Sequence, residues 1–314
     1  MAAKLYLTVF VFFFYAVRLT ALLAQPGMQD IIYPSDTKKI ALADGMEIAY
    51  LDRGEGPYTL LFIHGLGANL KAWQKNMDSL SRQYRCIAVD LPGYGKSSQG
   101  DYDFNMTFFA GKVREFIRAL GLQKVVLAGH SMGGQIALTY ALQDIAPVEK
   151  LILIAPAGIE TFSETEKNWF KMVYTPEVVK NTTPEQIRRN FQINFFEWPA
   201  DAEFMYEERL FLRSTGEYDR WCRMIPQCVM GMLDEPVFDR LGQITLPTLI
   251  LYGENDYLIP NQLLHKGQTT HQIAQLAQTQ IPGSQVRMIA RCGHFVQWEQ
   301  AGLTNQAIRE FLGQ

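Results

Sequence analysis

Cysteine is scarce. Four in 314 residues (Cys86, Cys222, Cys228 and Cys292) are too few for a fold built on disulfides. There is no C-x-x-C pair and no H-E-x-x-H run, so no zinc site is legible. Charge of one sign is lacking too. Lys and Arg number 29 against 32 Asp and Glu, a net charge of −3, which argues against a nucleic-acid binder. No internal repeat and no low-complexity run interrupts the chain. Hydrophobic residues are plentiful at 48%, too many for a disordered chain. The length allows one large domain or a domain with an insertion.

The first 24 residues differ from the rest. Lys4 precedes Leu5–Val17, an uncharged, mostly apolar run; Arg18 interrupts it and Leu19–Ala24 resumes it. A basic start, an apolar stretch and a small residue before polar Gln25 describe a secretory signal peptide. An uncleaved signal anchor fits as well, because 20 residues from Leu5 to Ala24 make a helix of about 30 Å, enough to span a bilayer. Arg18 costs about 2.5–3.5 kcal/mol at mid-membrane and less near an end, where it can snorkel. Both readings predict export to the periplasm or medium, or attachment to a membrane through residues 5–24.

Downstream, Ile40–Leu42 and Met46–Leu51 read as strands joined by an Asp44-Gly45 turn. Short apolar strands follow at Tyr58–Ile63, Arg85–Val89, Lys124–Ala128, Leu151–Ile154, Thr248–Tyr252 and Val286–Ala290. Phe108, Val113, Phe116, Ile117 and Leu120 recur at helical spacing, as do Leu303, Ala307, Ile308, Phe311 and Leu312. Buried strands separated by helices predict an α/β fold, a mostly parallel sheet covered on both faces with an antiparallel edge. Between Ala157 and Arg240 the strand rhythm stops. That stretch is rich in aromatics and holds Pro at 176, 184, 199, 226 and 236. It reads as a helical cap over 157–240, with the core formed by 25–156 and 241–314.

Gly129-His130-Ser131-Met132-Gly133 matches G-x-S-x-G. A nucleophilic Ser must stand on a sharp strand-to-helix turn, and flanking glycines let that turn close. The strand before and the helix-like run after supply that context. A Ser hydroxyl needs a base to take its proton and an acid to orient the base. Of five histidines, His294 in Cys292-Gly293-His294-Phe295 is the base, just past the last strand. His265 and His271 lie on a polar stretch and read as solvated; His130 reads as packing. The acid follows a strand end between Ser131 and His294, which selects Asp256, with Glu254 as the second candidate in the same loop. Asp234 and Asp239 read as surface charge. Two backbone N–H groups must face the developing oxyanion. Met132, at a helix start, and Leu66, in His64-Gly65-Leu66-Gly67, are the expected donors. Asp90-Leu-Pro-Gly-Tyr-Gly-Lys-Ser lacks the first Gly of a phosphate loop, so Asp90 is expected to satisfy loop backbone. Cys222 and Cys228 stand six apart in a segment that Pro226 is expected to break, where an oxidising compartment would allow a local bridge.

The H-G-x-G loop, the D-x-P-G-x-G-x-S segment, the elbow, the G-x-x-D loop and the G-H pair together resemble the α/β-hydrolase family over residues 40–312. Gly129–Gln135, Ala155–Gly158 and Cys292–His294 are similar to the monoacylglycerol lipase and carboxylesterase branch with an N-terminal membrane segment. Ser131 departs from dehalogenases and epoxide hydrolases, which place Asp there. The resemblance implies a serine hydrolase of esters with apolar acyl groups, with a small-molecule substrate and no cofactor or metal. Similar sites also cleave carbon–carbon bonds of ring-cleavage products, and a non-catalytic receptor can share the scaffold.

Overall fold

The computed structural model describes residues 26–143 and 146–313. The expected signal or anchor segment, residues 1–24, lies outside the described residues. Eight strands form one sheet in the order β1-β2-β4-β3-β5-β6-β7-β8: β1 Lys38–Ala41, β2 Glu47–Arg53, β3 Thr59–Ile63, β4 Arg85–Val89, β5 Val125–His130, β6 Val148–Ile154, β7 Thr248–Gly253 and β8 Gln285–Ile289. β1 pairs with β2, and β2 with β4, antiparallel; every later pairing is parallel. This is the α/β-hydrolase architecture the motifs implied.

The central strands β3, β4, β5 and β7 are buried on both faces, so they read as continuous apolar runs, whereas the edge strand β1 is mostly exposed. Successive side chains alternate between two cores. Leu60 and Phe62 of β3, with Leu249 and Leu251 of β7, join Trp73, Met77, Ile308 and Phe311 on one face. Leu61 and Ile63, with Ile250 and Tyr252, join Phe109, Phe116, Ile136 and Ile273 on the other. The covering helices are α1 Gln74–Leu80, α2 Met106–Ala119, α3 Met132–Ala141, and the C-terminal α9 Thr270–Gln280, α10 Val296–Glu299 and α11 Ala301–Leu312.

Between β6 and β7 the chain forms α4 Glu164–Val173, α5 Pro176–Asn181, α6 Pro184–Gln192, α7 Glu203–Arg213 and α8 Tyr218–Asp234, with no strand among the described residues. α5 and α6 each start on Pro at the first helical turn, behind Thr175 and Thr183, whose hydroxyls accept from Val178 N and Gln186 N.

Two expectations fail here. Pro226 does not break its segment; it lies inside α8, whose buried face of Trp221, Cys222, Ile225, Cys228 and Val229 holds the helix together across the missing hydrogen bond. The Cys222–Cys228 bridge is absent, and all four cysteines are free and buried. Six residues along one helix rise about 9 Å, beyond disulfide reach. Among the described residues no helix is long and apolar enough to cross a membrane.

Candidate active site

β5 runs straight into Ser131, whose backbone is at φ 54°, ψ −118°, and α3 begins at the next residue. A non-Gly residue at positive φ is strained by about 1–3 kcal/mol and must be held by its surroundings. The glycines explain how. A Cβ on Gly129 would lie 2.2 Å from Gly133 O, and one on Gly133 would lie 2.3 Å from Ile63 O. A side chain at either position would push α3 off the ends of β3 and β5. Gly65 is equally confined: its Cβ would be 2.9 Å from His130 Nδ1 and 3.1 Å from Ser131 Cβ. The H-G-L-G loop therefore lies directly against the elbow.

Among the described residues, neither the Leu66 nor the Met132 amide donates to a protein acceptor. Both belong to the turns around Ser131, and Met132 opens a helix whose dipole favours negative charge there. His64 braces the loop. Leu91 N donates to its Nε2 (3.1 Å), so the proton sits on Nδ1, which donates to Gly65 O (2.8 Å). Burial depresses the His64 pKa to about 4. Asp90 serves the same region, accepting from Leu70 N and Lys96 N at 2.8 Å each; burial raises it to about 7 against those bonds.

His294 Nδ1 is 2.8 Å from Asp256 Oδ2, and the two side chains are 4% and 0% exposed. The other Asp256 oxygen accepts from Leu258 N and Ile259 N, which fixes the carboxylate plane. Glu254 is 39% exposed and 3.9 Å from His271, so it does not compete. Asp234 and Asp239 are exposed. His130 packs on His294 with ring centroids 4.8 Å apart, and its Nε2 lies 3.0 Å from His294 O. Burial, and then the His294 charge, hold the His130 pKa well below the usual imidazole range. It is thus a neutral donor to the backbone of the loop 293–295, a role beyond packing alone.

Ser131, His294 and Leu66 share the wall of a cavity of about 560 Å³. Trp169, Val173, Tyr174, Val178, Phe191 and Ile193 make much of it apolar. One cation stands in it. Arg209 of α7 donates to Gly67 O (2.7 Å) and lies over the Trp221 ring at 3.9 Å, with no carboxylate in ion-pair range among the described residues. Burial lowers its pKa to about 10, so it stays charged at neutral pH. Sequence reading missed it, because Glu207-Glu208-Arg209 on a helix looks like a solvated face. It also misplaced His265, which is not solvated. Its Nδ1 and Nε2 lie 2.5 Å and 3.0 Å from Glu160 and Glu166, and its ring stacks on Phe162. Among the described residues no cluster of His, Cys, Asp and Glu is arranged to hold a metal ion.

The sheet order, the elbow and the cavity above the strand ends define a hydrolase of the α/β class. Residues 58–301 match the family model described as alpha/beta hydrolase fold, and the chain belongs to that family. A 2-hydroxy-6-oxononadienedioate/2-hydroxy-6-oxononatrienedioate hydrolase from Klebsiella pneumoniae is 30% identical over 273 residues, 83% of this chain and 89% of that protein. An esterase from Exiguobacterium antarcticum superposes with a TM-score of 0.73 at 25% identity, over 88% of this chain and 99% of its own. A membrane phospholipase A described as a bacterial virulence factor gives a TM-score of 0.70 at 28% identity, over 99% of this chain and 94% of its own.

Proposed function

We propose that the protein hydrolyses carboxylic esters with apolar acyl groups through an acyl-enzyme. Ser131 Oγ attacks the ester carbonyl while His294 takes its proton and delivers it to the leaving alcohol. Asp256 keeps the His294 proton on Nδ1 and stabilises the imidazolium. The Leu66 and Met132 amides receive the oxyanion. Water, deprotonated by His294, then releases the acid. The observation that carries this reading is the buried 2.8 Å Asp256–His294 pair opening onto the same cavity as the strained Ser131. The aromatic and aliphatic wall favours a lipid-like acyl chain. The phospholipase match supports the same substrate class. We place the enzyme outside the cytoplasm or at a membrane through residues 5–24.

A second reading is favoured by Arg209. A buried, unpaired guanidinium suits a substrate with a carboxylate, and the Klebsiella relative is named for a dienedioate, which carries two. Purified full-length protein in detergent, offered p-nitrophenyl esters from acetyl to palmitoyl beside a ring-cleavage dienedioate, decides between them. Ester turnover that rises with acyl length is expected. Turnover of the dienedioate with inert esters replaces the first reading by the second.

A further inference from the structure

His294 is not held by the core alone. Its side chain is held by Asp256 and its carbonyl by His130, but its amide is held by the insertion. Asn194 O, two residues beyond α6, accepts from His294 N (2.7 Å) and Phe295 N (3.2 Å). Phe195 stacks on Phe295 with centroids 5.2 Å apart and planes at 17°. A Cβ on Gly293 would stand 2.6 Å from Asn194 O and 2.7 Å from Phe195 Cα, so only glycine permits this approach.

Glu299, at the end of α10, ties the two segments together. Its Oε2 accepts from Gly293 N (2.7 Å) on the base loop and from Phe196 N (3.1 Å) on the insertion; its Oε1 accepts from Glu197 N (2.8 Å). One carboxylate therefore gathers three backbone donors from segments about 100 residues apart. Charge-assisted bonds of this kind are roughly twice as strong as neutral ones, and no neutral side chain offers the same acceptors on both oxygens. The strap continues from α6, whose Ile187, Asn190 and Phe191 form part of the cavity wall.

The geometry points to Glu299 as a positioning residue that clamps the strap 194–197 to the loop 293–295 and so sets the reach of His294 toward Ser131. The inference rests on the Ser131–His294–Asp256 reading and adds that the base is in place only while the insertion is seated. A displacement of about 1 Å at a reacting group costs on the order of a hundred-fold in rate.

The test compares full-length wild type, Glu299→Ala and Glu299→Gln on a short soluble p-nitrophenyl ester, with Arg223→Ala as a control. Arg223 of α8 pairs with Asp101 on the surface, where both side chains are exposed, and its loss is expected to leave kcat unchanged. Glu299→Ala is expected to lower kcat about ten- to a hundred-fold with KM within about two-fold, and Glu299→Gln, which keeps one acceptor oxygen, to recover part of it. Equal kcat in all three enzymes, or a loss confined to KM, overturns the clamp. Should Glu299→Ala not fold, Glu299→Gln decides alone: a lowered kcat at unchanged KM supports the clamp, and a wild-type kcat overturns it. Ser131→Ala in the same assay separates the two levels. If Ser131→Ala remains active, the hydrolase reading fails; if it is dead while Glu299→Ala turns over normally, only the clamp fails.

Discussion

Asp256 and Glu254 stand two residues apart, yet of the two only Asp256 reaches His294. Asp256→Asn replaces an acceptor facing His294 Nδ1 by an amide that favours the wrong imidazole tautomer. The expected loss in kcat on a soluble ester is up to ~10⁴, with little change in KM. Glu254→Gln should stay close to wild type, since its neighbour is the exposed His271; the reverse ranking would move the acid to Glu254. His64 gives a prediction in pH. Its folded pKa of about 4 lies below the ordinary imidazole value of 6.5. The folded state therefore binds fewer protons than the unfolded state between these values. The stability it contributes is fully present above pH 6.5 and is lost as pH falls toward 4. In chemical denaturation, the difference between wild type and His64→Gln should shrink by about 3 kcal/mol between pH 7 and pH 4. A difference that is flat with pH would mean that His64 is not held neutral. Asp90, raised to about 7 by burial, shifts stability the opposite way in this window, so the difference between proteins, not the wild-type curve, is the readout. The sharp turn at Ser131 and the meeting of Asp256 with His294 were legible because a strand-to-helix elbow and two strand-end loops demand particular residue types. Glu299 was not. Its partners are backbone amides, which every residue type carries and which leave no mark in a sequence.

Among the elements, the strands were the most legible. β4 matches its expected limits residue for residue, because a strand buried on both faces is an apolar run with polar ends. β5 runs two residues past its expected end because pairing with β6 continues to His130↔Ile154. The apolar pattern alone could not show this, since the extra residues are Gly and His. The helices of the insertion were harder to place. Pro176 and Pro184 mark helix starts, where the missing N–H has no partner to lose. Pro226 looks the same in sequence but lies within α8, where burial outweighs a local cost of about 3 kcal/mol. Proline restricts the backbone; tertiary contact decides which restriction applies. The same limit explains His265. The residues that follow it, Lys266 to His271, are polar apart from Gly267, but Glu160 and Glu166, about 100 residues earlier, enclose it.

At the scale of the whole molecule, the fold followed from the alternation of short strands and helices, and the cavity arises because the insertion covers the elbow. A near-neutral net charge of −3 leaves substrate choice to the cavity rather than to long-range steering. The proposed hydrolysis runs through a single nucleophile, so the most direct test is covalent. Full-length protein is treated with a fluorophosphonate probe and the labelled residue is found by mass spectrometry, beside Ser131→Ala of matched thermal midpoint. One label is expected, on Ser131, with a variant that neither labels nor hydrolyses a p-nitrophenyl ester above the uncatalysed rate. A label on another residue, or a Ser131→Ala protein that hydrolyses the ester at the wild-type rate, contradicts the proposal.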